Sequence, residues 1–374
     1  MRTLKHIIYK SLGYLLLLLC FCEYLFYYLV LWNCDWPALD PQNADPRIPY
    51  ANEEPVKVMV LADTHLLGSR NGHWFDKLRR EWQMRRAFQT ALTLHQPELV
   101  FILGDITDEG LWCSDTEFQT YVDRFHQLFA VPEATKLYVV VGNHDIGFHY
   151  GISPYLNQRF VSAFDAPAVK LVSVRGNHFV LVNSMALEGD GCFLCKPAKQ
   201  ELVHIENRLK CTEGVRKCGP NMKLDRYSKP ILMQHYPLYR ESDALCNEPD
   251  AAPASIKAEP FRERWECISR EATYQLLDTL RPRLAMSGHT HHGCKRQLPQ
   301  GGEEITVPSF SWRNKDNPNY ALGVFTPDNY AISRCEMPRE STVIMLYILG
   351  SLVFALYLSY EYRRTLHRCM FKVQ

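Results

Sequence analysis

Residues 56–65 read VKVMVLADTH, a short run rich in Val and Leu that ends in a carboxylate and an imidazole, Asp63 and His65. A run of this length and composition reads as a buried strand, and polar residues just past a strand end stand at a sheet edge where loops converge. The arrangement recurs. ELVFILGD (98–105) ends on Asp105, LYVVVGNHD (137–145) on Asn143, His144 and Asp145, PILMQH (230–235) on His235, and LAMSGHTH (284–291) on His289 and His291. Helices alternate with strands early in the chain and strands dominate late, which predicts a layered α/β domain with sheets packed inside helices.

Seven of these tip residues, Asp63, His65, Asp105, Asn143, His235, His289 and His291, are the oxygen and imidazole donors that a pair of divalent cations needs, with one carboxylate to bridge. Two such ions activate a water and offset charge during in-line displacement at phosphorus. The donor set suits Mn²⁺, Fe or Zn²⁺, and no thiolate enforces zinc. A lone Gly-Asp or an isolated His is usually an ordinary surface or core residue; the joint presence and order of the motifs carry the reading. His292, directly after His291, offers an alternative imidazole. Asp108, three residues after Asp105, reads as a loop carboxylate capping a helix.

The 374-residue chain has 47% hydrophobic residues and a formal charge of +1, so it holds one large or two small domains, and nucleic-acid binding gains no support from charge. Its ends are not globular. Residues 11–32 are almost unbroken apolar sequence, long enough at ~1.5 Å per residue to cross a ~30 Å bilayer core. They read as a transmembrane helix, being longer than a signal-peptide core and lacking a small-x-small cleavage site. Glu23 inside it is either protonated or faced by a partner helix. A second span, 342–360, carries no charge. Basic tails at 1–10 and 361–374 (Arg2, Lys5 and Lys10; Arg363, Arg364, Arg368 and Lys372) place both termini in the cytoplasm and the domain between them across the membrane.

Between the spans, 33–55 with its five Pro reads as a linker lifting the domain off the membrane, 56–335 as the domain, and 336–341 as a second linker. Ten of the 13 cysteines fall in this oxidising part, where disulfides are favoured. Five of them, Cys192, Cys195, Cys211, Cys218 and Cys246, mark a disulfide-stapled, Cys-rich insertion at about 190–266. A zinc ribbon from Cys192, Cys195, Cys211 and Cys218 competes with that reading, with poor spacing. Helices are expected at 73–94, 116–129, 199–209 and 268–280.

Taken together, D-T-H (63–65), G-D (104–105), G-N-H-D (142–145), His235 and G-H-T-H (288–291) resemble the calcineurin-like metallophosphoesterase superfamily in every metal-binding position. The resemblance implies a four-layer β-sandwich flanked here by the two spans. Asp63, His65 and His291 would then hold one metal and Asn143, His235 and His289 the other, with Asp105 bridging and Mn²⁺ the preferred ion. It also implies that His144 is a catalytic proton donor near the scissile phosphate, oriented by Asp145. Further blocks, among them HWFDKLRREWQM (73–84), QHYPLYR (234–240) and VPSFSWRN (307–314), extend the likeness over the whole chain to the membrane-anchored phosphodiesterases of GPI anchors. That branch implies removal of the ethanolamine phosphate from the second mannose of the GPI glycan, with GPI-anchored proteins as substrates and cargo-transport receptors as partners. The membranes implied are those of the endoplasmic reticulum, its exit sites, the ER–Golgi intermediate compartment or the cis-Golgi. Trp312, Phe310 and Trp74 are the aromatic candidates for holding the ethanolamine ammonium. Another metallophosphoesterase, such as a nucleotidase or a phospholipid diesterase, and a non-catalytic GPI-cargo receptor are the alternatives.

Overall fold

The computed structural model describes residues 2–48 and 54–370, with backbone only for 2–4, 220 and 366–370. The end of the expected linker (49–53) and Lys372 lie outside the described residues. The strands are β1 (Val56–Leu61), β2 (Leu99–Leu103), β3 (Lys136–Val140), β4 (Val169–Val174), β5 (Asn177–Val182), β6 (Ile231–Gln234), β7 (Leu284–Ser287), β8 (Cys294–Gln297), β9 (Glu303–Thr306), β10 (Asn319–Phe325) and β11 (Tyr330–Glu336). They form a five-stranded sheet, β11-β10-β1-β2-β3, and a six-stranded sheet, β4-β5-β6-β7-β9-β8.

Strand alternation builds four layers. Val56, Val58 and Val60 of β1, Leu99, Phe101 and Leu103 of β2, Phe179 and Leu181 of β5, and Ile231 and Met233 of β6 share one buried core between the sheets. The intervening residues, such as Met59, Val100, Ile102, Val180 and Leu232, face outward onto helices. Helices Trp74–His95 and Asp115–Leu128 supply Phe88 and Phe125 to that outer packing, while Cys195–Glu213 and Arg270–Leu280 supply Ile205 and Leu276. Helix Asp115–Leu128 starts on a capping box in which the Ser114 hydroxyl accepts from Glu117 N–H and Glu117 accepts from Ser114 N–H.

Several expectations shift. The stretch read as an insertion is divided: Cys195–Glu213 is a regular layer helix and β6 lies inside the second sheet, so what lies outside the regular layers is the connection 214–230 and the longer stretch at about 237–267, the latter with one short helix at Ala254–Lys257. Helix Pro154–Phe164 and strands β8 and β9 were not expected. The four disulfides among the described residues are Cys34–Cys335, Cys192–Cys195, Cys211–Cys218 and Cys246–Cys294, so Cys246 joins the stretch 237–267 to β8 rather than closing on itself.

Two helical segments, Lys5–Leu31 and Glu340–Thr365, are long and apolar enough to cross a membrane. The first contains a π-helical turn at Phe21–Leu25 around Glu23, whose Oε1 accepts from Tyr347 Oη–H of the second at 2.5 Å, so Glu23 has a partner helix. The helices also meet where Tyr14 stacks on Phe354 and where Gly350 lies against Leu18, so closely that a Cβ on Gly350 would stand 2.5 Å from Leu18 Cδ1. Residues 34–48 do not lift the domain away. Trp36 Nε1–H donates to His95 O, Asp45 N–H to Asp328 O and Ser333 Oγ–H to Asp35 O, and Tyr27 and Leu31 are buried in the domain's core.

Candidate metal centre

Strands β1, β2 and β3 run parallel in one sheet and β6 and β7 parallel in the other, so the loops after their carboxyl ends gather at one edge of the sandwich. Asp63 and Asp105 each follow the last strand residue by two positions, His235 follows Gln234 directly, and Asn143, His289 and His291 follow within four. The turns are sharp. Asp63 (φ 55°), His65 (45°), Asp105 (49°), His289 (73°) and His291 (62°) all occupy left-handed backbone, a conformation that costs roughly 1–3 kcal/mol at a non-glycine residue and is kept where its surroundings over-determine it. Gly104 (φ 84°) permits the closest approach, since a Cβ there would stand 2.7 Å from His235 Nδ1.

All seven expected donors converge. His65 Nε2 lies 3.5 Å from Asp105 Oδ2 and 3.2 Å from His291 Nε2, and His291 Nε2 lies 3.6 Å from Asp63 Oδ1. His235 Nε2 lies 3.3 Å from Asp105 Oδ2, 3.1 Å from Asn143 Oδ1 and 3.3 Å from His289 Nδ1. Asp105 thus stands between two groups of donors. The imidazoles are aimed from behind: His65 Nδ1–H donates to Asp108 Oδ1 (3.1 Å), His235 Nδ1–H to Leu103 O (2.7 Å) and His289 Nε2–H to Trp265 O (2.6 Å). Outer N–H groups anchored this way turn the other ring nitrogen inward, as in metal-binding histidines.

The residues fit a pair of cations. Asp63 Oδ1 is buried with no hydrogen-bond partner among the described residues, and the inward ring nitrogens approach one another in two pairs, contacts that only a proton or a cation between them relieves. In the metal-free protein protons do this. Burial opposes charge on His65 and His235, but the carboxylates around them outweigh it, Asp108 and Asp63 raising His65 to about 10 and Asp105 raising His235 to about 9. Burial, reinforced at His289 by His235 and at His291 by His65, pushes their partners down to about 3 and about 4.

Two expectations about supporting residues are corrected. Asp145 does not orient His144: its Oδ1 accepts from Thr107 N–H and Oγ–H and its Oδ2 from Gly142 N–H, so it shapes the loop that carries Asn143. Burial, then the charge of Asp105, raises the Asp145 carboxyl to about 6. His144 is held instead by Asp108, whose carbonyl accepts its Nδ1–H at 3.0 Å, and by Asp105, whose Oδ1 accepts its backbone N–H at 2.8 Å. Asp108, expected only to cap a helix, therefore supports both His65 and His144; burial works against its charge, but the His65 hydrogen bond and Arg313, 3.7 Å away, hold it below the usual carboxylate range. His291, not His292, joins the donor cluster; burial and Lys315 push His292 down to about 4.

The aromatic candidates are not at the centre. Phe310 is fully buried against Phe129 and Tyr320, and Trp312 is 5% exposed with Nε1–H donating to Pro338 O. Trp74, 67% exposed, opens the helix Trp74–His95 with its ring against His73 and Phe75. The ring directly against the ligands is Tyr236, 4.3 Å from that of His289, and Trp265, whose carbonyl accepts from His289, carries a ring packed on Phe148 and Tyr150 at separations of 4.5 and 5.8 Å. Position 265 is remote in sequence from every motif, so only the fold reveals it.

Comparison with known proteins agrees with this geometry. Residues 56–293 match the family model described as calcineurin-like phosphoesterase. Metallophosphoesterase 1 of Ailuropoda melanoleuca is 50% identical over 336 residues, covering 88% of this chain and 83% of that protein. The Mus musculus protein of the same name is 48% identical over 365 residues, covering 95% and 90%. Among solved structures, a purple acid phosphatase from yellow lupin seeds shares the fold, with a TM-score of 0.50 at 12% identity, over 77% of this chain and 52% of that one.

Proposed function

Since this chain belongs to the calcineurin-like phosphoesterase family, and is thereby a metal-dependent phosphoesterase, we propose that it is a phosphodiesterase removing the ethanolamine phosphate side branch from the second mannose of GPI anchors. The observation that carries hydrolysis is the convergence of the seven donors about Asp105. Members of this family bind two divalent ions. Here Asp63, His65 and His291 would hold one, Asn143, His235 and His289 the other, with Asp105 between them and Mn²⁺ the ion proposed. When bound, such a pair supplies an activated water and offsets charge on the phosphoryl group.

The chain's own residues do the rest. With Nδ1–H committed to the Asp108 carbonyl, His144 presents Nε2 as its proton-transfer atom, and its side chain is 39% exposed. As water adds at phosphorus and the bond to the mannose oxygen breaks, that oxygen takes a proton from His144 Nε2. Arg313, also 39% exposed and tethered to Asp108, offers its guanidinium to a phosphate oxygen. The wall of Phe148, Tyr150 and Trp265 takes the place of the aromatic residues expected from sequence for holding the ammonium or a sugar face.

Short links from the centre to the second apolar helix support a lipid-linked substrate. Ser309 Oγ–H donates to Asp63 O at 2.8 Å, and seven residues on Asp316 accepts from the N–H groups of Glu340 and Ser341. An enzyme anchored at both ends, with termini in the cytoplasm and its centre in the lumen of the early secretory pathway, would meet a GPI glycan in two dimensions and promote export of the anchored protein. The test compares GPI glycans from cells lacking the protein and rescued with wild type, Asp105→Asn or His144→Ala. Wild type alone should restore trimming. Variants that trim equally well overturn catalysis, and a wild type that hydrolyses simple diesters but leaves the mannose branch in place overturns the substrate.

A further inference from the structure

The four cysteines weighed from sequence as a zinc ribbon are joined here as two separate pairs, Cys192–Cys195 and Cys211–Cys218. Cys192 and Cys195 have other neighbours. His149, from the turn after the Gly142–Asp145 motif, and Asp190 meet them so that one donor atom from each of the four residues lies within 4.8 Å of every other. His149 Nδ1–H donates to Met185 O at 2.7 Å, which turns Nε2 inward, 2.7 Å from Asp190 Oδ2. Asp190 Oδ1 accepts from Cys192 N–H at 3.0 Å and lies 3.3 Å from Cys195 Sγ, while Cys195 N–H donates to Cys192 Sγ at 2.9 Å.

Three independent features of this quartet match a soft tetrahedral cation. Two cysteines separated by two residues, the second opening the helix Cys195–Glu213, have the spacing of paired thiolate ligands. An imidazole whose outer N–H is fixed on a backbone carbonyl is oriented as a ligand. The four donor atoms also all lie within 4.8 Å of one another, close enough to settle at the separations of about 3.3–3.8 Å that zinc bonds of about 2.0–2.3 Å impose on a tetrahedron once the sulfur–sulfur bond opens. None of the four residues belongs to the dinuclear centre.

We propose that His149 Nε2, the Asp190 carboxylate and the Cys192 and Cys195 thiolates form a third metal site, selective for Zn²⁺, which opens when the cysteine pair is in its dithiol state. The structure shows the oxidised state, with Cys192 and Cys195 joined. A dithiol reductant transfers two electrons and two protons to the disulfide, leaving two thiols and its own disulfide; Zn²⁺ then replaces the two thiol protons, which leave to solvent. The site fastens the turn carrying Phe148, His149 and Tyr150 to the helix Cys195–Glu213. It thereby couples thiol state to the aromatic wall on Trp265, whose carbonyl anchors the ligand His289.

The test uses the full-length protein in detergent micelles, equilibrated with Zn²⁺ and desalted, with or without prior dithiol treatment, and measures metal per chain by mass spectrometry. Reduction should add one equivalent. That equivalent should vanish in His149→Ala and in the double variant Cys192→Ser/Cys195→Ser, and persist in Cys211→Ser/Cys218→Ser. Co²⁺ in place of Zn²⁺ should give a sulfur-to-cobalt charge-transfer band in reduced wild type, a readout that needs no variant to fold. No added equivalent and no such band in reduced wild type, or an added equivalent that survives loss of Cys192 and Cys195, overturns the proposal.

Discussion

The ligand-bearing edge and the stretch 237–267 that borders it are held by opposite means. At the edge, each donor is set by its own strand, which ends no more than four residues before it, and the left-handed turns add local constraint. The stretch 237–267 contains only one short helix and is held by distant partners: Cys246 by Cys294, Arg240 by Thr306 and Glu304, and the Trp265 carbonyl by His289. Local construction gives the edge a rigid geometry for chemistry. Long-range construction lets the neighbouring stretch vary in shape around a constant centre, which is where substrate selection belongs.

This contrast predicts a graded series of effects. Asp105→Asn removes the carboxylate shared by both donor groups, so hydrolysis of a soluble phosphodiester should fall to background. His144→Ala should lower kcat by about 10²–10⁴-fold, and by more for an alkyl ester than for a nitrophenyl ester, whose leaving group needs no proton. Metal loading should depend steeply on pH. His65 and His235, at about 10 and about 9 in the metal-free protein, carry protons at neutrality that a cation must displace, so apparent affinity should rise with pH up to about 9. With one competing proton at each ion the gain between pH 7 and 8 approaches about tenfold per ion, and a pH-stat should detect about two protons released per chain as both load. If affinity is flat over that range, the imidazoles are not the groups displaced.

Effects shrink with distance from the donors. Asp108→Ala, which removes the carboxylate behind His65 but keeps the carbonyl behind His144, should weaken metal affinity or activity by about 10–100-fold, measured by titration of the metal-stripped variant. Removing the Cys246–Cys294 bridge with Cys246→Ser/Cys294→Ser should cost roughly 2–4 kcal/mol of stability, seen as a lower unfolding temperature, while soluble-diester hydrolysis stays within a few-fold of wild type. A collapse of activity there would show that 237–267 builds the centre rather than borders it.

The same contrast explains what could be read without coordinates. β1, β2 and β6 fill the apolar parts of the runs 56–65, 98–105 and 230–235, because short apolar runs between polar ends carry their own signal. The seven donors follow from that. Helix Pro154–Phe164 has a start signal in Ser153 and Pro154, but a Ser-Pro pair opens turns as readily, so that signal alone does not separate helix from loop. An acidic residue shortly before a helix fits a cap, but Ser114 fills that role and the Asp108 carboxylate turns to His65, a contact that only the fold creates. Trp312 and Trp265 show the limit: an aromatic residue's sequence neighbourhood does not say which side of a loop it faces. Trp312 turns into the core, and Trp265 reaches the centre through contacts formed only on folding.

The central claim is that two ions held by these seven donors perform the hydrolysis, and a metal titration tests it most directly. Metal-stripped full-length protein, kept oxidised so that Cys192 and Cys195 stay joined, is titrated with Mn²⁺ while diester hydrolysis and bound metal are followed together. Activity should be absent at the start, rise with loading and saturate at about two equivalents per chain, with Asp105→Asn gaining neither activity nor the second equivalent. Full activity without metal, saturation at one equivalent, or an Asp105→Asn curve that overlays wild type would contradict it.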